Sequence, residues 1–398
     1  MPHSRSARSL DRHSRARWGA SARRTSFVAE GPFVTTPTTP LDREDVRARV
    51  QAAVVTELDR QHEVLAEVGP DLDPLIDSVR QLLTGGKRLR AAFAYWGYRA
   101  AGQPGSESLI RLATAMEFFQ AAALLHDDVM DRSDTRRGMP SAHRAVAALH
   151  ARAGWSGDSD RFGEATAILA GDLCLQWTDE LFSTSGLPAD HLARGREMFD
   201  RMRTQLMGGQ FLDVLESARG WEALSTADRL MSARRVIRFK SAKYTIEQPL
   251  LVGALAGGLT GATLDGLSRY GLALGEAFQL RDDLLGVFGD PAETGKPAGD
   301  DLREGKRTVL IAYLLDHLDD AGLSVMRQLF GRADLDDLGV GVVRALIEGT
   351  PAVAAVEADI DRLCAQAHDA LGEAADGLDH TAVEVLHELV AAATARAT

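Results

Sequence analysis

Two stretches of this 398-residue chain gather acids behind apolar residues: "LLHDDVMDRSDTRRG" at 124–138 and "FQLRDDLLG" at 278–286. On a helix, Asp127 and Asp131 stand one turn apart on one face, with Asp128 beside them. Like charges this close repel, and the negative partial charge at a helix C-terminus makes carboxylates there costlier still. A divalent cation would neutralise them. Magnesium takes oxygen ligands, keeps several waters, and is shared between one or two carboxylates and a substrate phosphate. Two such helix ends, one carrying Asp127, Asp128 and Asp131 and the other Asp282 and Asp283, would clamp a diphosphate between metal ions. Taken alone, either motif is equally well explained as a structural helix end. Adjacent aspartates begin at 127, 282, 300, 319 and 336, and the pairs at 319 and 336 lie among polar residues, as helix caps do.

The lysines carry more weight. Of 45 basic residues only Lys87, Lys240, Lys243, Lys296 and Lys306 are lysine, in "TGGKRLR", "RFKSAKYT", "ETGKPAG" and "REGKRT". Three of these four contexts place glycine directly before the lysine, which lets backbone approach a ligand closely. Lysine serves phosphate as a compact point charge, whereas arginine forks onto two oxygens. A single lysine of this kind reads as a solvated surface charge; the set does not. No Walker loop, no dinucleotide fingerprint and no H-E-x-x-H is present.

The elements that position these residues are helical. Beyond residue 40 only nine prolines occur, alanine and leucine dominate, and apolar residues recur every three or four positions, as at Val46, Val50, Val54 and Leu58. Stretches 109–125 and 264–288 are apolar nearly all round, which places them at the centre of a bundle. Turn chemistry gathers near 85, 102, 136, 154, 185 and 289. The expectation is one all-α domain over 41–398, with ten or more helices. Residues 1–40 hold seven arginines against Asp11 and Glu30 and lack an apolar period, and they read as a disordered basic tail. A targeting segment and an upstream start codon are the alternatives.

The formal charge is −12 overall and −17 beyond the tail, a surface that repels nucleic acid and anionic membranes. An anionic substrate would need a local cationic device. Cys174 and Cys364 sit in apolar helical contexts, as free thiols do. No apolar run reaches the roughly 18 residues of a spanning helix. A cytoplasmic protein with no transmembrane segment is expected.

In order along the chain, "GGKRLR", "DDVMDRSDTRRG", "GGQFLD", "KSAKYT", "FQLRDDLLG" and "GKPAGDDLREGKRT" resemble the motifs of the trans-type polyprenyl diphosphate synthases, from about residue 45 to at least 320. The resemblance implies an isoprenoid synthase-type bundle around a central cavity, a homodimer, and magnesium, three ions per active site. It implies condensation of isopentenyl diphosphate with an allylic diphosphate (dimethylallyl, geranyl or farnesyl). Carried over by position, Asp127, Asp128, Asp131, Asp282 and Asp283 would bind the metal. Arg136, Lys240 and Lys296 would neutralise the allylic diphosphate, with Gln279 beside them. Isopentenyl diphosphate would sit on Lys87, Arg90 and Arg137, while Ser241, Gln210 and Lys306 would be neighbours. Rival readings are a longer-chain synthase, a class I terpene cyclase, and an inactive partner subunit of a heteromeric synthase.

Three positions depart from the family pattern. Gly286 stands where the second acidic motif repeats an aspartate, Gln120 where many members place a histidine near isopentenyl diphosphate, and Ala91 where proline is common. The growing chain would run along the helix upstream of Asp127, so Ala123 and Ala122 form the first floor and neither blocks a fifteen-carbon tail. One turn deeper stand Phe118 and Phe119, with Met116 below. Four residues lower the floor by about 6 Å, roughly one isoprene unit, which predicts a geranylgeranyl (twenty-carbon) product.

Overall fold

The computed structural model describes residues 40–221, 223–290 and 299–395. The tail at 1–39 and Lys296 lie outside the described residues.

The chain forms helices α1 (Val46–Ala66), α2 (Asp73–Leu83), α3 (Leu89–Ala100), α4 (Glu107–Met130), α5 (Ala142–Ala153), α6 (Ser159–Ser183), α7 (Ala189–Ala218) and α8 (Thr226–Val236). A π-helical segment (Ile237–Glu247) runs from α8 into α9 (Gln248–Gly257) and is followed by α10 (Gly261–Phe288). After it come α11 (Asp300–Glu304), α12 (Val309–His317), α13 (Asp320–Leu329), α14 (Asp337–Glu348), α15 (Ala352–Ala374) and α16 (His380–Thr394). The fold is an all-α bundle. Its only β-structure among the described residues is a hairpin pairing Thr135–Arg136 with Met139–Pro140. Arg137 and Gly138 turn it, both in the left-handed region at φ 53° and 72°, the backbone that a two-residue hairpin turn demands.

Helix α4 starts where Ser106 Oγ accepts from the Leu109 amide at 3.1 Å, satisfying one of the unpaired donors of the first turn. It has the length and hydropathy of a membrane span, yet 72% of that stretch is buried inside the protein, as befits a core helix. It packs on α6, with α3 against α9 and α10 against both α15 and the π-helical segment. Val46, Val50, Val54 and Leu58 form the buried face of α1, as their spacing predicts.

The π-helical segment carries "KSAKYT" and is clasped from two sides at glycines. A Cβ on Gly209 of α7 would lie 2.5 Å from the Lys240 amide nitrogen, and one on Gly275 of α10 would lie 2.7 Å from Ala242 Cα. These approaches are backbone to backbone, so no side-chain rotation relieves them. We expect Gly209→Ala to destabilise the fold by about 1–3 kcal/mol through overpacking, read as a lowered denaturation midpoint. An unchanged midpoint would show that α7 withdraws without strain.

Candidate active site

Helices α4 and α10, with the segment between α8 and α9, open onto a cavity of about 560 Å³. Of the residues singled out by sequence, Lys87, Arg90, Ala123, Asp127, Arg136, Gln210, Lys240, Ser241, Gln279, Asp282, Asp283, Gly286 and Lys306 line it together. Asp128, Asp131, Gln120, Arg137, Ala122, Phe119 and Met116 are not among the lining residues.

Asp127 is the hub of the first acidic cluster. Its Oδ1 accepts from Gln210 Nε2 at 2.7 Å and from Lys240 Nζ at 3.3 Å. Burial alone would raise its pKa, but Lys240, Lys306 and Arg136 outweigh that and hold it below the ordinary carboxylate value. Lys240 lies between two acids, at 2.5 Å from Asp213 Oδ2 on its other side. Burial opposes its charge, yet Asp127 and Asp213 more than offset this, so it stays protonated. Asp128, 2% exposed, is paired with Arg136, which donates from Nε at 2.9 Å and also from Nη2. Asp131 caps the end of α4 and is pushed up to about 7, first by burial and then by Asp127, with Lys240 and Lys306 opposing.

On the facing helix, Gln279 organises the second cluster. Its Nε2 donates to Asp283 Oδ1 at 2.8 Å and to Asp282 Oδ2 at 3.3 Å, while its Oε1 accepts from Ser241 Oγ. Asp283 is buried and pushed up to about 8 by that burial; the Gln279 hydrogen bond opposes the rise, and Asp301 and Asp282 add to it. Asp282 is exposed at the cavity.

The basic loop before α3 divides its labour. Arg88 is buried against Glu117 at 3.2 Å and is structural. Arg90 donates to Thr245 Oγ1 at 2.9 Å and lies 4.2 Å over the Tyr244 ring, while its buried Nε has no hydrogen-bond partner among the described residues. Arg137 donates to the Leu82 carbonyl at 2.9 Å, and its guanidinium abuts Gly86, next to the exposed Lys87. Lys243 is turned to Glu247 at 2.6 Å.

Sequence reasoning passed over Asp213, Asp301 and Glu304. Asp213 is the last letter of "GGQFLD", and Asp301 and Glu304 belong to "GDDLREGK". The motifs were legible, but their acids reveal themselves only through the lysines they hold. Lys306 Nζ is 3.0 Å from Asp301 and 2.9 Å from Glu304.

The donors of both clusters are carboxylate oxygens, the chemistry magnesium prefers. Among the described residues no three acidic, histidine or cysteine side chains converge to hold an ion unaided.

A lining that combines the charged groups with the apolar side chains of Ala123, Leu206, Val236 and Ile237 suits a phosphorylated lipid. The family model for polyprenyl synthetase spans residues 73–343, and the chain belongs to this family: it is a trans-prenyltransferase. The crystal structure of geranylgeranyl pyrophosphate synthase from Corynebacterium glutamicum, complexed with isoprenyl diphosphate and magnesium, is 39% identical. It superposes with a TM-score of 0.83 over 89% of this chain and 99% of that one. Geranylfarnesyl diphosphate synthase of Aeropyrum pernix is 33% identical over 266 residues, 66% of this chain and 76% of that protein. Nonaprenyl diphosphate synthase of Mycobacterium tuberculosis is 29% identical over 325 residues, 81% of this chain and 85% of that protein. The family therefore defines the reaction class and leaves product length to the cavity.

Asp128 and Arg136 supply a test of how the site is held. We expect Asp128→Asn, which leaves Arg136 buried without its full counter-charge, to cost about 3 kcal/mol of stability, measured by chemical denaturation. A cost below about 1 kcal/mol would mean that Arg136 finds Asp127 instead.

Proposed function

We propose that the enzyme joins isopentenyl diphosphate to an allylic diphosphate and releases geranylgeranyl diphosphate. The observation that supports this best is the juxtaposition of the Asp127–Lys240 pair with the small apolar side chain of Ala123 in the lining of one cavity.

Asp127 and Asp131 on one side, with Asp282 on the other, would hold magnesium on the allylic diphosphate; Asp128 would fix Arg136, and Gln279 would fix Asp283. Magnesium, when bound, supplies positive charge to the departing diphosphate. Lys240 and Arg136 add fixed positive charge there, both side chains being mostly withdrawn from solvent. Ionisation breaks the allylic carbon–oxygen bond. The double bond of isopentenyl diphosphate, whose diphosphate rests on Lys87, Arg90 and Arg137, then attacks the allylic cation. A proton leaves to the released diphosphate and a new allylic double bond forms. Among these residues none is required as a covalent nucleophile.

Product length follows from the wall beneath the charge. Ala123 faces the cavity, while Ala122 and Met116 are buried in the core. Phe119 is buried one turn deeper, edge-on to Tyr244 with ring centroids 5.8 Å apart, and Tyr244 itself lines the cavity. This pair supports a floor at the depth of a twenty-carbon product. Purified enzyme incubated with Mg²⁺, isopentenyl diphosphate and each allylic primer should yield mainly geranylgeranyl diphosphate, and a dominant product of thirty carbons or more would overturn the assignment. Ala123→Phe should shorten the product by at least one isoprene unit; an unchanged length would place the tunnel elsewhere.

The enzyme is proposed to act as a homodimer. Exposed Ile168 and Leu169 on α6, and Met207, Phe211 and Val214 on α7, support burial against a second copy. Leu169→Arg combined with Phe211→Arg should shift the mass in solution, by light scattering, from dimer to monomer. A dimer that persists at micromolar concentration would rule out these faces.

A further inference from the structure

On a helix, position 286 lies one turn beyond Asp282 and shares its face, and this chain places glycine there. The space a side chain would occupy is filled from another helix. A Cβ on Gly286 would lie 2.0 Å from Asp301 Oδ2 and 2.6 Å from its Cγ, so the Asp301 carboxylate stands where a residue-286 side chain would begin. A side chain at 286 would oblige the Asp301 carboxylate to move from this position. Asp301 enters from α11, which starts after Gly299 in the left-handed region at φ 77°. It is 9% exposed and lines the cavity, with Oδ1 accepting from Lys306 Nζ at 3.0 Å and Oδ2 directed at Gly286.

We propose that Asp301 supplies to the second cluster the carboxylate that position 286 lacks, so that Asp282 and Asp301, from different helices, both serve one divalent cation. This rests on the magnesium reading of the site. A carboxylate delivered across the helix interface satisfies the same need for oxygen donors as one carried a turn along α10, because magnesium needs oxygens in place and not a particular chain path to them. Gly286 thereby leaves room for the incoming acid in the position it holds.

The alternative role for Asp301 is to hold Lys306 in position. The two roles separate when binding of Mn²⁺ in the presence of inorganic diphosphate is titrated on the full chain by the loss of free-ion EPR signal. Asp301→Asn should weaken Mn²⁺ binding about tenfold or more, since loss of even an outer partner of a metal ligand costs 10–100-fold. Gly286→Asp combined with Asp301→Asn should recover most of that loss, and this double variant, which refills the space with a carboxylate, decides between the roles if Asp301→Asn does not fold. Lys306→Gln should not weaken Mn²⁺ binding. If Lys306→Gln reproduces the loss, or the double variant stays as weak as Asp301→Asn, Asp301 acts by positioning and the inference fails. Asp282→Asn serves as the reference. Should Asp282→Asn weaken binding while Asp301→Asn does not, only the role of Asp301 falls; should neither change it, the magnesium reading falls as well.

Discussion

Buried carboxylates of like sign must be compensated, and the architecture around the cavity follows from that constraint. Asp127 lies near the end of a core helix with Asp131 one turn away and Asp128 beside it, and each is answered differently. Lys240 reaches Asp127, Arg136 takes Asp128, and Asp131 is left with its proton affinity raised to about 7. The lysine has to arrive from the π-helical segment at short range, which explains why α7 meets that segment at Gly209 and α10 meets it at Gly275. Packing and electrostatics are one problem here: the glycines set the backbone distance, and the distance sets the strength of the ion pairs.

The same constraint shapes the far wall. Gln279 is a neutral bridge, donating to both aspartates of α10 and receiving the Ser241 hydroxyl. A charged residue in its place would either neutralise the cluster permanently or worsen the repulsion. An amide orients the acids and leaves their charge available to whatever cation arrives.

Helix content, the buried face of α1 and the central position of α4 were legible in the sequence because they depend on periodicity alone. The acidic pairs and the lysines were legible because their composition is unusual against an arginine-rich background. What periodicity could not give was the π-helical stretch at "KSAKYT", since Ser241, Ala242, Tyr244 and Thr245 are all buried and leave no one-sided apolar stripe whose period could be read. Nor could it give the partners. Asp213, Asp301 and Glu304 read as ordinary acids until the fold sets them beside Lys240 and Lys306. The hairpin at Arg136 was visible only as turn chemistry in "RRGMP"; its two short strands are too brief to show an alternating pattern, yet they support the arginine that enters the cavity.

Arg90, Tyr244 and Phe119 form a relay that joins the two halves of the cavity. The guanidinium rests on the face of Tyr244, and the edge of that ring contact is Phe119 in the core. A residue that would grip one substrate's diphosphate therefore leans on the wall proposed to stop the other substrate's tail. On the proposed assignments, chain length and affinity for the five-carbon donor would not be independent variables: a change at Phe119 would disturb the tyrosine on which the arginine rests. Under those assignments a change of product size made at Phe119 would be accompanied by a change in how the donor is held, a thermodynamic coupling carried by three side chains in contact.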